Sequence, residues 1–308
     1  MLDNFTDWRD EWALVLDGSV NTKSAEQYLR CVGQFITWAQ TEHPDVTDVA
    51  DVTDKHATGW AAHLVTERKL APATRRVRLL SLRFWFGYMA TQQDSGVRQN
   101  PFALLKLPVP DEKPVPVIPD AELAALLRTA SGSDFISIRD NAILRVLLDT
   151  GIRRGELVNI DVADVDFAQH EITVTGKGGR TRIVPLSPKT VLALRKYMRA
   201  RARRPASTAR PLFLSIRPDD RGVNRLTGGG LFEMVKRRCK AAGLVHRWPH
   251  QLRHTWAHDM LDNGANEQDV ERLGGWTRGS KMVKRYGSSM ADERARKRSR
   301  DLARGDRV

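Results

Sequence analysis

The chain is 308 residues long, enough for two domains that each bury a core. Its 50 Lys and Arg against 37 Asp and Glu leave a net charge of +13, which points to a polyanionic partner. Cys31 and Cys239 lie far apart without zinc-site spacing. Together with the lack of a charged-then-apolar leader or an apolar run of about 18 residues, this speaks against a disulfide scaffold, export or a membrane span, and predicts a cytoplasmic protein.

The charge is unevenly spread. Residues 1–108 hold 12 basic and 13 acidic side chains, whereas 109–308 hold 38 and 24, so the second part is expected to face the polyanion. Within the first part, 4 basic and 12 acidic residues precede Arg68, and 8 basic and 1 acidic run from Arg68 to Pro108, which predicts one acidic and one basic face. Apolar spacing over 1–108 predicts four helices in a small bundle. The first runs from Phe5 to Leu16, with Phe5, Trp8, Trp12 and Val15 inward. The second is capped by Asn21 or Thr22 and carries Tyr28, Val32, Phe35 and Trp38 on one face. A third spans Asp54 to Arg68. The fourth spans Pro72 or Ala73 to Ala90, with Leu79, Leu82, Trp85, Phe86 and Met89 inward. Arg75, Arg76, Arg78 and Arg83 lie on the fourth helix, and in so basic a half-domain they are expected to touch a phosphate backbone rather than form an idle solvated face.

Residues 109–118 carry Pro110, Pro114 and Pro116 and read as a semi-extended linker. Helices are expected from Pro119 to Thr129 and from Ser137 to Asp149, the latter stopped by Gly151. Arg153 and Glu156 then open a short helix ending near Ile160. Val165 to Pro185 is the strand region, with Ile172 and Val174 alternating against Thr173 and Thr175 and a Gly176-Lys177-Gly178-Gly179 turn. That turn lacks the spacing of a nucleotide-binding P-loop. From Ile172 to Pro218 there are 12 basic residues and no acidic ones. Arg195, Lys196, Arg199, Arg201, Arg203 and Arg204, mostly on a helix starting near Pro188, read as an element that grips a phosphate backbone. A further helix is expected from Asn224 to Ala242.

The stretch from Pro249 to Tyr286 organises the rest. Pro249 suits the first turn of a helix, on which His250, Arg253 and His254 share one side and Leu252, Trp256 and Met260 form an adjacent apolar stripe. An imidazole beside a guanidinium suits a phosphodiester. His250-Gln251-Leu252-Arg253-His254 followed by Tyr286 resembles the His-x-x-Arg motif and nucleophilic tyrosine of the tyrosine recombinases, the phage integrase family. Thr150-Gly151-Ile152-Arg153-Arg154-Gly155-Glu156-Leu157 is similar to that family's first arginine box, and Gly176-Lys177-Gly178-Gly179 falls between them in family order.

The resemblance implies a mainly α fold with a small antiparallel sheet (α+β). A four-helix SAM-like core-binding domain over 1–108 and a linker over 109–118 would precede a tyrosine recombinase catalytic domain with a C-terminal tail over 119–308. It implies Tyr286 as nucleophile, Arg153 and Arg253 clamping the phosphate, Lys177 as general acid and His250 moving a proton at Tyr286. Glu156 orients its neighbours, and Trp276 stands where most relatives carry a second histidine. The interval from Trp276 to Tyr286 is one residue longer than the family pattern. The partner implied is double-stranded DNA with specific core sites. The protein would be a homotetramer on DNA, monomeric or weakly associated when free, working through a Holliday junction without metal or cofactor. A directionality factor stays open, as does the choice between phage-type integration, which Trp276 favours slightly, and Xer-like resolution. The alternatives are a DNA-binding factor on the same fold that has lost catalysis, and a type IB topoisomerase-like activity. The C-terminal stretch from Met290 to Ala303 is basic and helical with little apolar surface.

Overall fold

The computed structural model describes residues 5–110, 116–204, 208–215, 225–245, 247–288 and 291–307, with side chains left out at 177, 285–288, 291–294, 297, 298 and 307. The chain divides into two compact units, Met1–Lys113 and Pro114–Val308. That division falls inside the proline-rich stretch, of which residues 111–115 lie outside the described residues.

The first unit is built from α1 (Phe5–Ser19), α2 (Thr22–Glu42), α3 (Asp54–Thr66) and α4 (Pro72–Met89). Asn21 caps α2 by accepting from the Ser24 N–H, and Pro72 opens α4 where its missing N–H costs nothing. Phe35 sits at the centre, its ring 5.8 Å from Trp60, 6.1 Å from Phe86 and 5.5 Å from Phe102. The inward stripe of α1 differs from the expected one. Val15 is exposed and Leu16 is buried: both follow Trp12 at a helical interval, and it is Leu16 that reaches the bundle core.

Two of the four α4 arginines have work inside the unit. Arg83 donates through Nε to the Phe102 carbonyl at 2.9 Å and through Nη2 to the Leu105 carbonyl, while Asn100 returns a bond to the Arg83 carbonyl at 2.8 Å. Arg76 donates to the Pro108 carbonyl at 3.2 Å. These bonds tie the segment after α4 back along the helix, a role that helical spacing did not suggest. All four arginines, Arg75 and Arg78 included, are half-buried.

The second unit contains α5 (Asp120–Arg128), α6 (Phe135–Thr150), α7 (Arg154–Asn159), β1 (Val165–Asp166), β2 (Glu171–Thr175), β3 (Thr181–Pro185), α8 (Pro188–Ala202), α9 (Gly228–Ala241), α10 (Pro249–Asp262), α11 (Glu267–Gly274), α12 (Lys281–Ser288) and α13 (Ala291–Leu302). The strands form one antiparallel sheet in the order β1-β2-β3, with Val174 opposite Arg182 and Thr175 opposite Thr181. Gly178 and Gly179, at φ of +75° and +74°, close the tip that carries Lys177. Helix α6 is the buried spine of this unit, with Ile143, Leu144, Val146 and Leu147 inside. A smaller cluster of Trp256, Ala257, Leu261, Val270 and Val283 locks α10, α11 and α12 together. Ile118, buried, donates its N–H to Thr255 Oγ1 on α10 at 3.0 Å.

Of the arginines expected to grip a backbone from α8, Arg199 and Arg203 are exposed. Arg201 is not: it is buried and donates to the Ala209 and Pro211 carbonyls, which corrects its place in that run. No helix among the described residues is long and apolar enough to cross a membrane.

Candidate active site

The site is assembled where four chain segments end. Helix α6 stops at Gly151 in the left-handed region, φ +57°, and its carbonyl turns inward to accept from Arg253 Nη1 at 2.7 Å. A Cβ at Gly151 would fall 2.2 Å from Trp256 Cε3, so both conformation and space demand glycine. Two residues later Arg153 is the N-cap of α7. Glu156, at the third helical position, accepts the Arg153 N–H through Oε2 at 2.7 Å and Arg153 Nη1 through Oε1 at 2.8 Å. The carboxylate at the helix start thus both caps α7 and fixes the arginine.

From α10, Arg253 reaches the same place. Its Nη2 donates to the Gly274 carbonyl at 2.7 Å, and Arg153 Nη1 approaches that carbonyl at 3.4 Å while Arg153 Nη2 donates to Gly275 at 2.7 Å. Two guanidiniums from segments a hundred residues apart thus converge on the end of α11. Arg253 lies over the Trp276 ring, 3.6 Å from its centroid, and Trp276 stacks on Trp256 at 6.4 Å. Arg253 is 1% exposed, whereas the Arg153 side chain is 40% exposed. Arg154 is exposed and lies beside Gly228 at the start of α9.

His250, exposed at the start of α10, packs edge-on against buried His254 with centroids 4.3 Å apart. Desolvation by the surrounding protein, and then the charges of Arg253 and Arg153, push its pKa below the ordinary imidazole value. The shift favours the neutral, proton-accepting form of the ring. Glu156 goes the other way. Burial pushes its carboxyl up, but hydrogen bonds from Arg182 and from Arg153 outweigh that and hold it below the usual carboxylate range.

Arg182 was not singled out by the sequence motifs. It clamps Glu156 in bidentate fashion, Nη1 to Oε1 at 3.0 Å and Nη2 to Oε2 at 2.8 Å, and donates through Nε to the Leu273 carbonyl at 2.6 Å. A signal for it existed: Arg182 has the same strand parity as buried Val184, so its charge had to find a partner. Glu271 was missed as well. Buried on α11, it accepts the Ser280 N–H at 2.7 Å just before α12.

Tyr286 lies on α12 and Lys177 at the β2–β3 tip by backbone, and the side chains of both lie outside the described residues. Among the described residues no group of three or more His, Cys, Asp or Glu could hold a metal ion.

Residues 116–293, more than half of the chain, match the phage integrase family. This chain belongs to that family. It is 31% identical over 250 residues to the tyrosine recombinase XerC of Pelobacter propionicus, covering 80% of this chain and 78% of the relative. Similarity to the tyrosine recombinase XerD of Listeria innocua is 27% over 264 residues, 84% of this chain and 86% of that one. The fold is shared with the XerH site-specific recombinase bound to its difH substrate, with a TM-score of 0.73 at 16% identity over 96% of this chain and 97% of that one. It is also shared with the Tn1549 transposon integrase in complex with transposon right end DNA, with a TM-score of 0.72 at 20% identity over 97% and 99%. The chain is accordingly a tyrosine recombinase, a DNA strand-breaking and rejoining enzyme of the Xer-like kind. Trp276 had favoured phage-type integration slightly, whereas these relatives in sequence are Xer recombinases.

Proposed function

We propose that this recombinase cuts each DNA strand by attack of the Tyr286 phenolic oxygen on a core-site phosphorus. The P–O5′ bond breaks, a 3′-phosphotyrosyl bond forms, and the 5′ oxygen leaves with a proton from Lys177. His250 takes the phenolic proton, and Arg153 and Arg253 neutralise the non-bridging oxygens as charge develops. A 5′-hydroxyl of the partner strand then reverses the step, so the phosphodiester energy is kept. Four protomers on two sites would exchange strands in pairs through a Holliday junction. The tetramer is what the resemblance to the family implies. Double-stranded DNA is the substrate, approached by the basic second unit.

The observation that carries this reading is the convergence of Arg153 and Arg253 on the Gly274 carbonyl, with His250 beside them. A DNA-binding factor that had lost catalysis has no need to hold two guanidiniums and an imidazole at one point. The test is a nicked suicide substrate, from which the strand end diffuses away after cleavage. Wild type should accumulate a covalent adduct in excess chelator, and Tyr286→Phe should bind the DNA equally well and form none. An adduct surviving in Tyr286→Phe removes the assignment, and magnesium-restored loss under EDTA points to other chemistry.

A further inference from the structure

We propose that Arg182 is a positioning residue of this active centre, acting on the scissile phosphate through Glu156 and Arg153 without touching it. The inference rests on the proposed function. Glu156 is 6% exposed, and its carboxylate accepts four hydrogen bonds, two on each oxygen. Two come from Arg153 and two from Arg182. If Arg182 is removed, half of that set disappears while the carboxylate remains buried, so Glu156 can hold its charge and the Arg153 geometry only with difficulty.

The third bond of Arg182 widens its reach. Its Nε donates to Leu273, the residue before the Gly274 and Gly275 carbonyls that anchor Arg253 and Arg153. Gly275 is in the left-handed region at φ +68°, and a Cβ there would stand 2.7 Å from Arg182 Nη1 and 3.1 Å from Arg153 Nη1. The two guanidiniums are therefore packed against one backbone turn. Arg182 also sits on the strand leaving the turn that carries Lys177, with Arg182 opposite Val174 in register. One side chain, 12% exposed and with little surface to offer a substrate, thus joins the hairpin, the first arginine box and the end of α11. A planar five-donor fork satisfies both groups at once, which a lysine ammonium cannot do with the same geometry.

A shared path has a measurable signature. If Arg182 works by holding Arg153 in place, then once Arg153 is gone its loss has little left to damage. Single-turnover cleavage of the suicide substrate at saturating protein is measured for wild type, Arg182→Ala, Arg182→Lys, Arg153→Ala and Arg153→Ala/Arg182→Ala, with gel-shift affinity and thermal melting for each. Arg182→Ala should slow cleavage about 10²-fold, the scale of a catalytic group displaced by about 1 Å. DNA affinity should change less than about threefold, an order-of-magnitude allowance for a side chain that makes no phosphate contact. Arg182→Lys should fall between. The double variant should be no more than a few-fold slower than Arg153→Ala alone. Rates that multiply, or an Arg182→Ala enzyme cleaving at the wild-type rate, overturn the proposal. If Arg182→Ala fails to fold, the cycle is run with Arg182→Lys, and the same multiplication of rates overturns it. Failure of the underlying functional reading is told apart by wild type itself, which would then give no Tyr286-dependent adduct.

Discussion

His250 gathers the electrostatics of the site into one measurable quantity. The protein around it desolvates the ring, and Arg253 and Arg153 repel a second charge, so the imidazole keeps its neutral form to lower pH than a free histidine, about 6.5. For a proton acceptor the sign is favourable. The active form persists as pH falls through 6.5 and is lost only below it. The single-turnover rate should therefore stay level through that value and drop on its acid side, while His250→Asn should be slower and lack this ionisation. A wild-type acid limb centred at or above about 6.5 would remove the depressed-imidazole account. The arginine pair shows the same economy. Arg253 is held by backbone carbonyls on α6 and α11, so it does not have to be ordered when substrate arrives.

At the scale of elements, the end of α11 sets where α12, the helix of Tyr286, begins. The Glu271 carbonyl accepts the Trp276 N–H at 2.8 Å, and its side chain accepts the Ser280 N–H at 2.7 Å, so one residue holds both ends of the connecting turn. Ser280 in turn receives the Lys284 N–H at 3.1 Å on its carbonyl, and buried Val283 fastens α12 to the small cluster. The stretch between Trp276 and α12 is therefore a braced turn. Glu271→Ala leaves the Ser280 N–H without its acceptor, a loss of roughly 1–3 kcal/mol. It should lower the melting temperature by several degrees and slow adduct formation, with DNA affinity kept; Glu271→Gln, which retains an acceptor oxygen, should recover most of the rate. Equal adduct rates in Glu271→Ala and wild type would dismiss this bracing role. The helices themselves were legible because large apolar residues recur at three and four, as Leu79, Leu82, Trp85, Phe86 and Met89 do on α4. The arginine boxes were legible as motifs. What stayed hidden were polar groups whose partners come from afar: Arg83 on Phe102 and Leu105, Arg201 on Pro211, Arg182 on Glu156 and Leu273. Local spacing says that such a side chain is charged, not which distant carbonyl awaits it. Val15 was misplaced for a simpler reason, since both it and Leu16 follow Trp12 at a helical interval and only the packing partner decides.

At the scale of the whole molecule, the open question is what α13 is for. Its described side chains, Ala295, Arg296, Ser299, Arg300, Asp301 and Leu302, are all exposed, and Leu302 is 53% so. A helix of 12 residues whose described side chains are all exposed draws little stability from them, because helices this short depend on packing. We therefore expect α13 to dock on a neighbouring protomer of the DNA-bound assembly and so link one Tyr286 helix to the next active site. The competing account is a basic tail that adds only nonspecific attraction to DNA. Truncation after Ser289 separates them. Docking in trans leaves binding to a single core site intact and abolishes synapsis and recombination at any protein concentration. A basic tail instead gives uniformly weaker binding with a shallower salt dependence, since fewer counterions are released, and recombination returns when protein is added. Gel shifts across a salt series, run beside recombination assays over a wide range of protein concentration, read both outcomes. Recovery of recombination by the truncated chain would leave α13 as a tail and move the coupling between protomers elsewhere in the fold.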